Sequence, residues 1–355
     1  MNTLLVTSTE TGIGKTATAL ALARAADRGG AAVGYMKPKG TRLTSAVGKT
    51  RDEDPMLARE LLDFEAEMHE MEPIVYSPTF IQEVLQGRED ADDLRDRVVE
   101  NFDALSADRD VMIVEGTDPL STGSIVDLTD ADIAEAIDAR VLLVAGYDSI
   151  ADVDDVLSTA RALGDRLAGV LFNAVADAAM DELNTDVVPF LEGEGVPVVG
   201  VLPRVTELAG RPVSELADSL GAEVLTSDAP LDAHVERFTV GAMGSDSALT
   251  HFRRTRDAAM IAGGDRADIH TAALEAAGIE VLILTGGLRP PGAVLGRAEE
   301  EGVPVLLVQS DTRTTIDRVS DVLRSGQTRT ERTVDRMGEL LDDGVDVETL
   351  LALED

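Results

Sequence analysis

Four lysines occur among the 355 residues, and all lie within the first 49 positions: Lys15, Lys37, Lys39 and Lys49. Beyond them every strongly basic side chain is arginine. Lys15 stands in Ser8-Thr9-Glu10-Thr11-Gly12-Ile13-Gly14-Lys15-Thr16, directly after the apolar run Leu4-Leu5-Val6. A strand that enters a glycine turn and then a helix aims backbone N–H groups and a helix N-terminus at a phosphate. In such a loop Lys15 would reach the β- and γ-phosphates of a nucleotide, and the Thr16 hydroxyl would ligate Mg²⁺. The usual spacing, G-x-x-x-x-G-K-T, asks for glycine at position 9, where this chain has Thr9. The competing reading is a plain strand-to-helix turn carrying an incidental Gly-Lys-Thr. The strand before it and the helix after it favour the phosphate loop.

Other residues gather around that loop in the pattern. Glu115 closes the run Val111-Met112-Ile113-Val114. An acid at the end of a parallel strand beside a phosphate loop suits a Mg²⁺ ligand or a water-positioning group. A solvated acid at a strand end is the alternative, in a chain with 67 acids. Asp54, in Arg51-Asp52-Glu53-Asp54-Pro55, is a candidate second metal ligand. Lys37 follows the next strand and falls at the same sheet edge as Lys15, where it could neutralise phosphate or a bound carboxylate. The expected metal set is therefore Thr16, Asp54 and Glu115, with Lys15 and Lys37 as cations at the same edge. The histidines at 69, 234, 251 and 270 have no ligand spacing, and no Ser-His-Asp arrangement is discernible. Cysteine is absent, which excludes disulfides, thiol catalysis and thiolate metal sites.

The elements that must carry these residues follow from the alternation. Short β-rich runs at 4–7, 32–37, 111–115, 141–145, 170–173 and 198–202 are separated by helical stretches such as Ala17–Ala26 and Val153–Leu163. That pattern predicts a parallel sheet with helices on both faces over residues 1–205. Pro73 and Pro78 suggest a loop or short insertion from His69 to Arg88. After a break between Pro203 and Pro212, a smaller α/β domain is expected over 206–326, its strands ending in Gly- or Asp-rich turns at Gly263-Gly264-Asp265-Arg266, Thr285-Gly286-Gly287 and Ser310-Asp311-Thr312. Residues 327–355 read as a linker and a helical tail.

Composition bounds the partners. Against 31 Lys and Arg, the 67 acids give a formal charge of −36. Such a field repels nucleic acid and anionic membrane, so neither is an expected partner. With 44% hydrophobic residues the chain can form ordinary cores. Dispersed carboxylates, few lysines and few aromatics suggest a salt-loving (halophilic) source, where high salt screens the self-repulsion. The N-terminus shows no secretion leader, and apolar runs are strand length rather than the roughly 20 residues of a membrane span, so a cytoplasmic location is expected.

The stretch from Ser8 to Thr16 resembles the loop of the dethiobiotin synthetase family, G-T-x-T-x-x-G-K-T, with Ser8 in place of the first glycine; this accounts for Thr9. Lys37-Pro38 matches that family's second-strand ending, and Asp54 and Glu115 align with its metal-binding acids. The resemblance implies Mg-ATP binding: Thr9, Glu10, Thr11, Gly12, Ile13, Gly14, Lys15 and Thr16 would hold the nucleotide, Asn173 would recognise adenine, Pro203 would flank the base, and Lys15 and Lys37 would assist catalysis. In place of the family's glycine-rich substrate turn, Glu115 is followed by Gly116-Thr117-Asp118-Pro119-Leu120. That departure brings the chain nearer to the dethiobiotin-synthetase-like N-terminal region of long phosphotransacetylases. Residues 240–243, 263–270 and 284–288 resemble the DRTGG domain that accompanies this region, and the transferase domain that should follow is not in the sequence. The resemblance implies a regulator of, or partner to, acetyl-CoA and acetyl-phosphate metabolism, forming a homo-oligomer and acting on a separate metabolic enzyme. The alternative is an ATP-dependent ligase of the dethiobiotin synthetase or cobyrinate diamide synthase type, activating a carboxylate or carbamate.

Overall fold

The computed structural model describes residues 1–41, 43–46, 49–324 and 330–353. The chain forms two compact units, Met1–Arg204 with Arg329–Asp355, and Val205–Thr328. No helix among the described residues is long and apolar enough to cross a membrane.

The first unit is built on six parallel strands: β1 Asn2–Ser8, β2 Val33–Met36, β3 Val111–Glu115, β4 Arg140–Ala145, β5 Leu167–Val175 and β6 Val198–Pro203. Their order across the sheet is β6-β5-β4-β1-β3-β2. Strands β1, β3 and β4 are buried almost throughout, because helices cover both faces. The chain leaves β1 toward β2 on one side, while β4 lies on the other, so the order reverses at β1. In open α/β sheets ligands bind outside the carboxyl ends of strands at such a reversal. The turn after β1 runs there into helix α1, Lys15–Arg28.

Helix α2, Glu53–Leu61, is started by Asp52, whose side chain accepts a hydrogen bond from the Asp54 backbone N–H. The segment from His69 to Arg88, expected as a loop or insertion, contains instead the helices Met68–Met71 and Pro78–Leu85 around the short strand Ile74–Val75. Proline misled because it opens the second helix: Pro78 occupies the first turn, where its missing N–H costs nothing, and Ser77 caps the Phe80 N–H.

The second unit holds the strands β7 Glu223–Val224, β8 Arg237–Val240, β9 Ala258–Gly263, β10 Ile279–Thr285 and β11 Val305–Leu307, in the order β7-β11-β10-β9-β8. All pairs are parallel except β7 with β11. One apolar cluster lies on each face, around Met260, Leu282 and Ile269 and around Ile261, Ile283 and Leu216. Helix α3, Ala267–Leu274, begins just after the turn Gly263–Arg266. There a Cβ on Gly264 would lie 1.7 Å from the Leu288 carbonyl oxygen, so only glycine lets the two turns pack.

Helix α4, Glu331–Gly344, belongs to the first unit and packs along α1. Val334, Met337, Leu340 and Leu341 are buried along one face at helical spacing. Arg24 reaches Asp335 at 2.7 Å and Glu331 at 3.4 Å, but these exposed pairs contribute little beside the apolar contact.

Two outcomes follow for the second unit. Gly264→Ala should destabilise it by about 1–3 kcal/mol through overpacking against fixed backbone, read from urea unfolding. His270 is buried, with Nε2 donating to the Gly263 carbonyl at 3.0 Å, and burial lowers its pKa below the ordinary 6.5 although Gly263, Asp268 and Asp265 oppose this. Above 6.5 both folded and unfolded states are neutral; below it the unfolded chain takes up a proton that the folded ring resists. Wild type should therefore lose more stability than His270→Gln between about pH 8 and about pH 5.5.

Candidate functional site

At the carboxyl edge, β1 delivers the loop Thr9–Gly14, β3 delivers Glu115, the end of β2 delivers Lys37, and the start of α2 delivers Asp54. Gly12 and Gly14 adopt positive φ, 86° and 90°. A Cβ at Gly14 would also fall 2.5 Å from Asn173 Nδ2, so this turn needs glycine twice over. Glu10, Thr11 and Gly12 are exposed, leaving the outer loop open to a ligand.

Behind the loop, Thr16 Oγ1 lies 2.5 Å from Glu115 Oε1 and 3.5 Å from Asp54 Oδ2. Lys37 Nζ bonds the Asp54 carboxylate, lies 2.9 Å from Asp52 Oδ2 and 3.6 Å from Glu115 Oε1. The Tyr35 hydroxyl donates to Glu115 Oε2 at 2.6 Å. Lys37, Asp54 and Glu115 are 2%, 1% and 0% exposed, so water does not screen these charges. Burial pulls the Lys37 pKa down, but Glu115, Asp54 and Asp52 together outweigh it and hold the ammonium above its usual range. Burial, then the neighbouring Glu115 and Asp54, push the Tyr35 phenol well up, so it stays a donor. The structure thus brings together Thr16, Lys37, Asp54 and Glu115, four of the residues the sequence singled out.

The donor set fits a hard divalent cation. Two carboxylates and a hydroxyl supply oxygen only, and three acids against one ammonium leave a surplus of negative charge that such a cation would balance. The oxygens of Asp52 are already engaged, Oδ2 by Lys37 and the Thr41 backbone N–H and Oδ1 by the Asp54 backbone N–H. Among the described residues no group of three or more acids, histidines or cysteines has a metal-holding arrangement, so water and phosphate would have to complete the shell, as Mg²⁺ prefers.

Lys15 pairs with Asp118, which also accepts from Ser8 Oγ at 3.3 Å. Sequence reasoning noted the Gly116–Leu120 turn but gave Asp118 no role. An acid three positions past Glu115, on a loop leaving the same edge, was the available signal. Lys39 was passed over as well. It is fully buried, donating to the Thr122 and Leu128 carbonyls at 2.6 and 2.5 Å and lying 3.2 Å from Asp130 Oδ1. Asp130 Oδ2 in turn accepts from Thr7 Oγ1 at 2.7 Å and the Thr117 N–H at 2.8 Å. The pair pins the segment after β3 against β1. Burial lowers the Lys39 pKa, and Asp130 opposes that shift.

Asn173 Nδ2 donates to the Ile13 carbonyl at 2.8 Å, bracing the loop itself. Pro203 ends the outer strand β6 beside Val175. Glu10, although its side chain is exposed, has its carboxyl pushed up first by partial desolvation and then by Asp148, Asp152 and Asp155. The side chain of Lys49 lies outside the described residues.

A parallel sheet with helices on both faces, a glycine loop after β1 and a Lys-Thr opening α1 define a P-loop NTPase-type domain. The chain belongs to the AAA domain family of the AAA_26 type, which matches residues 2–211. A DRTGG domain matches residues 215–322, and the pair corresponds to the N-terminal region of phosphotransacetylases. Phosphate acetyltransferase of Pseudomonas putida is 26% identical over 347 residues, covering 91% of this chain and 48% of the relative. That of Escherichia coli is 24% identical over 343 residues, covering 87% and 46%. The chain thus spans about half the length of the curated relatives it matches. Among solved structures, the MinD cell division protein of Aquifex aeolicus is 16% identical, covering 59% of this chain and 84% of that one with a TM-score of 0.36.

Lys39→Met should cost about 3–5 kcal/mol by leaving Asp130 buried and uncompensated, as measured by chemical unfolding.

Proposed function

We propose that the first unit binds an adenine nucleotide with Mg²⁺, ATP included, and that the chain regulates or partners the metabolism of acetyl-CoA and acetyl phosphate. The observation that carries the nucleotide reading is the convergence of Thr16, Asp54, Glu115 and Lys37 behind a glycine loop whose helix starts at Lys15. The loop N–H groups and the α1 N-terminus would take the inner phosphates, and Lys15 the outer ones. Thr16, Asp54 and Glu115 would hold the Mg²⁺, which when bound lowers the ligand's charge and clamps its phosphate oxygens. Lys37 keeps the two acids from repelling each other and stands ready as a second cation at the phosphate edge. Asn173 holds the loop in shape, and adenine would lie on the side of the β5 and β6 ends, toward Pro203.

The metabolic half of the proposal is supported by relatives named phosphate acetyltransferase. Regulation by nucleotide, with the DRTGG domain as the sensing or assembly module of a homo-oligomer, suits a chain that couples a P-loop domain to this second domain. The ligase reading is weaker, because Asp118 beside Lys15 would repel an acidic acceptor.

Isothermal titration tests the site, in KCl at about 1–2 M to screen the acidic surface. ATP with Mg²⁺ should bind wild type, and Lys15→Ala should weaken binding roughly tenfold to hundredfold, as loss of a charge-assisted contact does. No binding to wild type would overturn the proposal. ATP turnover appearing only on addition of a small carboxylic acid would favour the ligase.

A further inference from the structure

Asp118 stands beside Lys15 and Ser8, at the edge toward which a nucleotide's outermost phosphate would extend on the reading above. A phosphate cradled by the α1 N-terminus sits over Gly14, Lys15 and Thr16, and the next one outward extends toward the ends of β1 and β3. Asp118 comes from the end of β3, bonds the Lys15 ammonium and accepts from Ser8, the last residue of β1. It therefore competes for the cation that a terminal phosphate needs, and it adds like charge beside that phosphate. The backbone that carries it is held in place. On one side Thr117 is tied to Asp130 through its backbone N–H at 2.8 Å and its hydroxyl at 3.2 Å. On the other, Pro119 restricts the backbone, and the Thr122 carbonyl is held by the buried Lys39. The segment that carries Asp118 is anchored at both ends by one buried ion pair.

We infer that Asp118 is a specificity-determining residue that weakens binding of a nucleoside triphosphate relative to the diphosphate. This rests on the nucleotide reading of the P-loop. A diphosphate brings only its β-phosphate to Lys15 and stops short of Asp118, so that phosphate and the carboxylate can share the ammonium. A triphosphate must displace the carboxylate or bind against it. A P-loop restrained in this way responds to the balance of the two nucleotides rather than saturating with the triphosphate.

The test is titration of Mg-ATP and Mg-ADP into wild type and Asp118→Asn, which keeps the shape and removes the charge. Thermal melting confirms that the variant folds, and Asp118→Ser serves if it does not. Expected is a gain in ATP affinity of roughly tenfold or more, with ADP affinity changed by less than about threefold. Equal gains for both nucleotides, or no gain for ATP, would overturn the inference while leaving the nucleotide reading intact. Absence of binding by either nucleotide in both proteins would remove that reading and this inference with it.

Discussion

Three buried carboxylates around one buried ammonium set the terms for the rest of the first unit. Asp52, Asp54 and Glu115 meet Lys37 at the carboxyl edge of the sheet, in a place too dry to be solvated. Such a cluster is tolerated only if each oxygen has a partner and its surplus charge is balanced. The partners come from every direction: Tyr35 and Thr16 to Glu115, backbone N–H groups of Thr41 and Asp54 to Asp52, and the ammonium to all three. Strands β1, β2 and β3 and the start of α2 must therefore stay in register with one another. On the proposed reading, the residual negative charge would suit the site to a divalent cation, and through that cation to phosphate.

The distribution of lysine has a physical reason. Lys15, Lys37 and Lys39 are all buried in ion pairs, while the arginines lie largely at the surface. An ammonium is a compact point charge that can face three carboxylates from different directions, or two carbonyls and a carboxylate. A guanidinium is a flat fork suited to one bidentate partner and would not fit either nest. Lysine is kept where charge must be enclosed.

That logic also marks how far the sequence could be read. The phosphate loop is contiguous, so Lys15 and Thr16 were legible from nine adjacent residues. Glu115 and Lys37 were legible because a parallel α/β alternation sends the ends of their strands to one edge. Asp54 was legible through the resemblance, since acid clusters in this chain are otherwise surface. Asp118, Lys39 and Asp130 were not read, because their roles depend on how the 116–129 segment folds back over β1, and no local periodicity encodes that return. Segment 69–88 failed for a different reason: its prolines carry opposite meanings at a helix start and in a loop, and the capping serine that decides between them is a single residue. The helical tail was legible within residues 327–355, but the partner of its apolar face, α1, lies more than 300 positions earlier.

The proposed phosphate site, in a chain of charge −36, would have to work against the chain's own long-range field. Carboxylates dispersed through the chain repel any polyphosphate that approaches. Attraction begins only within the first shell, from the α1 N-terminus, the loop N–H groups and the enclosed ammonium groups, all short-ranged. The cation held by Thr16, Asp54 and Glu115 would matter more here than in a neutral protein, because it lowers the charge of the ligand before the field acts on it. Asp118 works in the same direction as the surface but at contact range, where salt screens least. Salt can quiet the outer field; the balance between Lys15 and Asp118 is left to the α1 start that carries one and the anchored segment that carries the other.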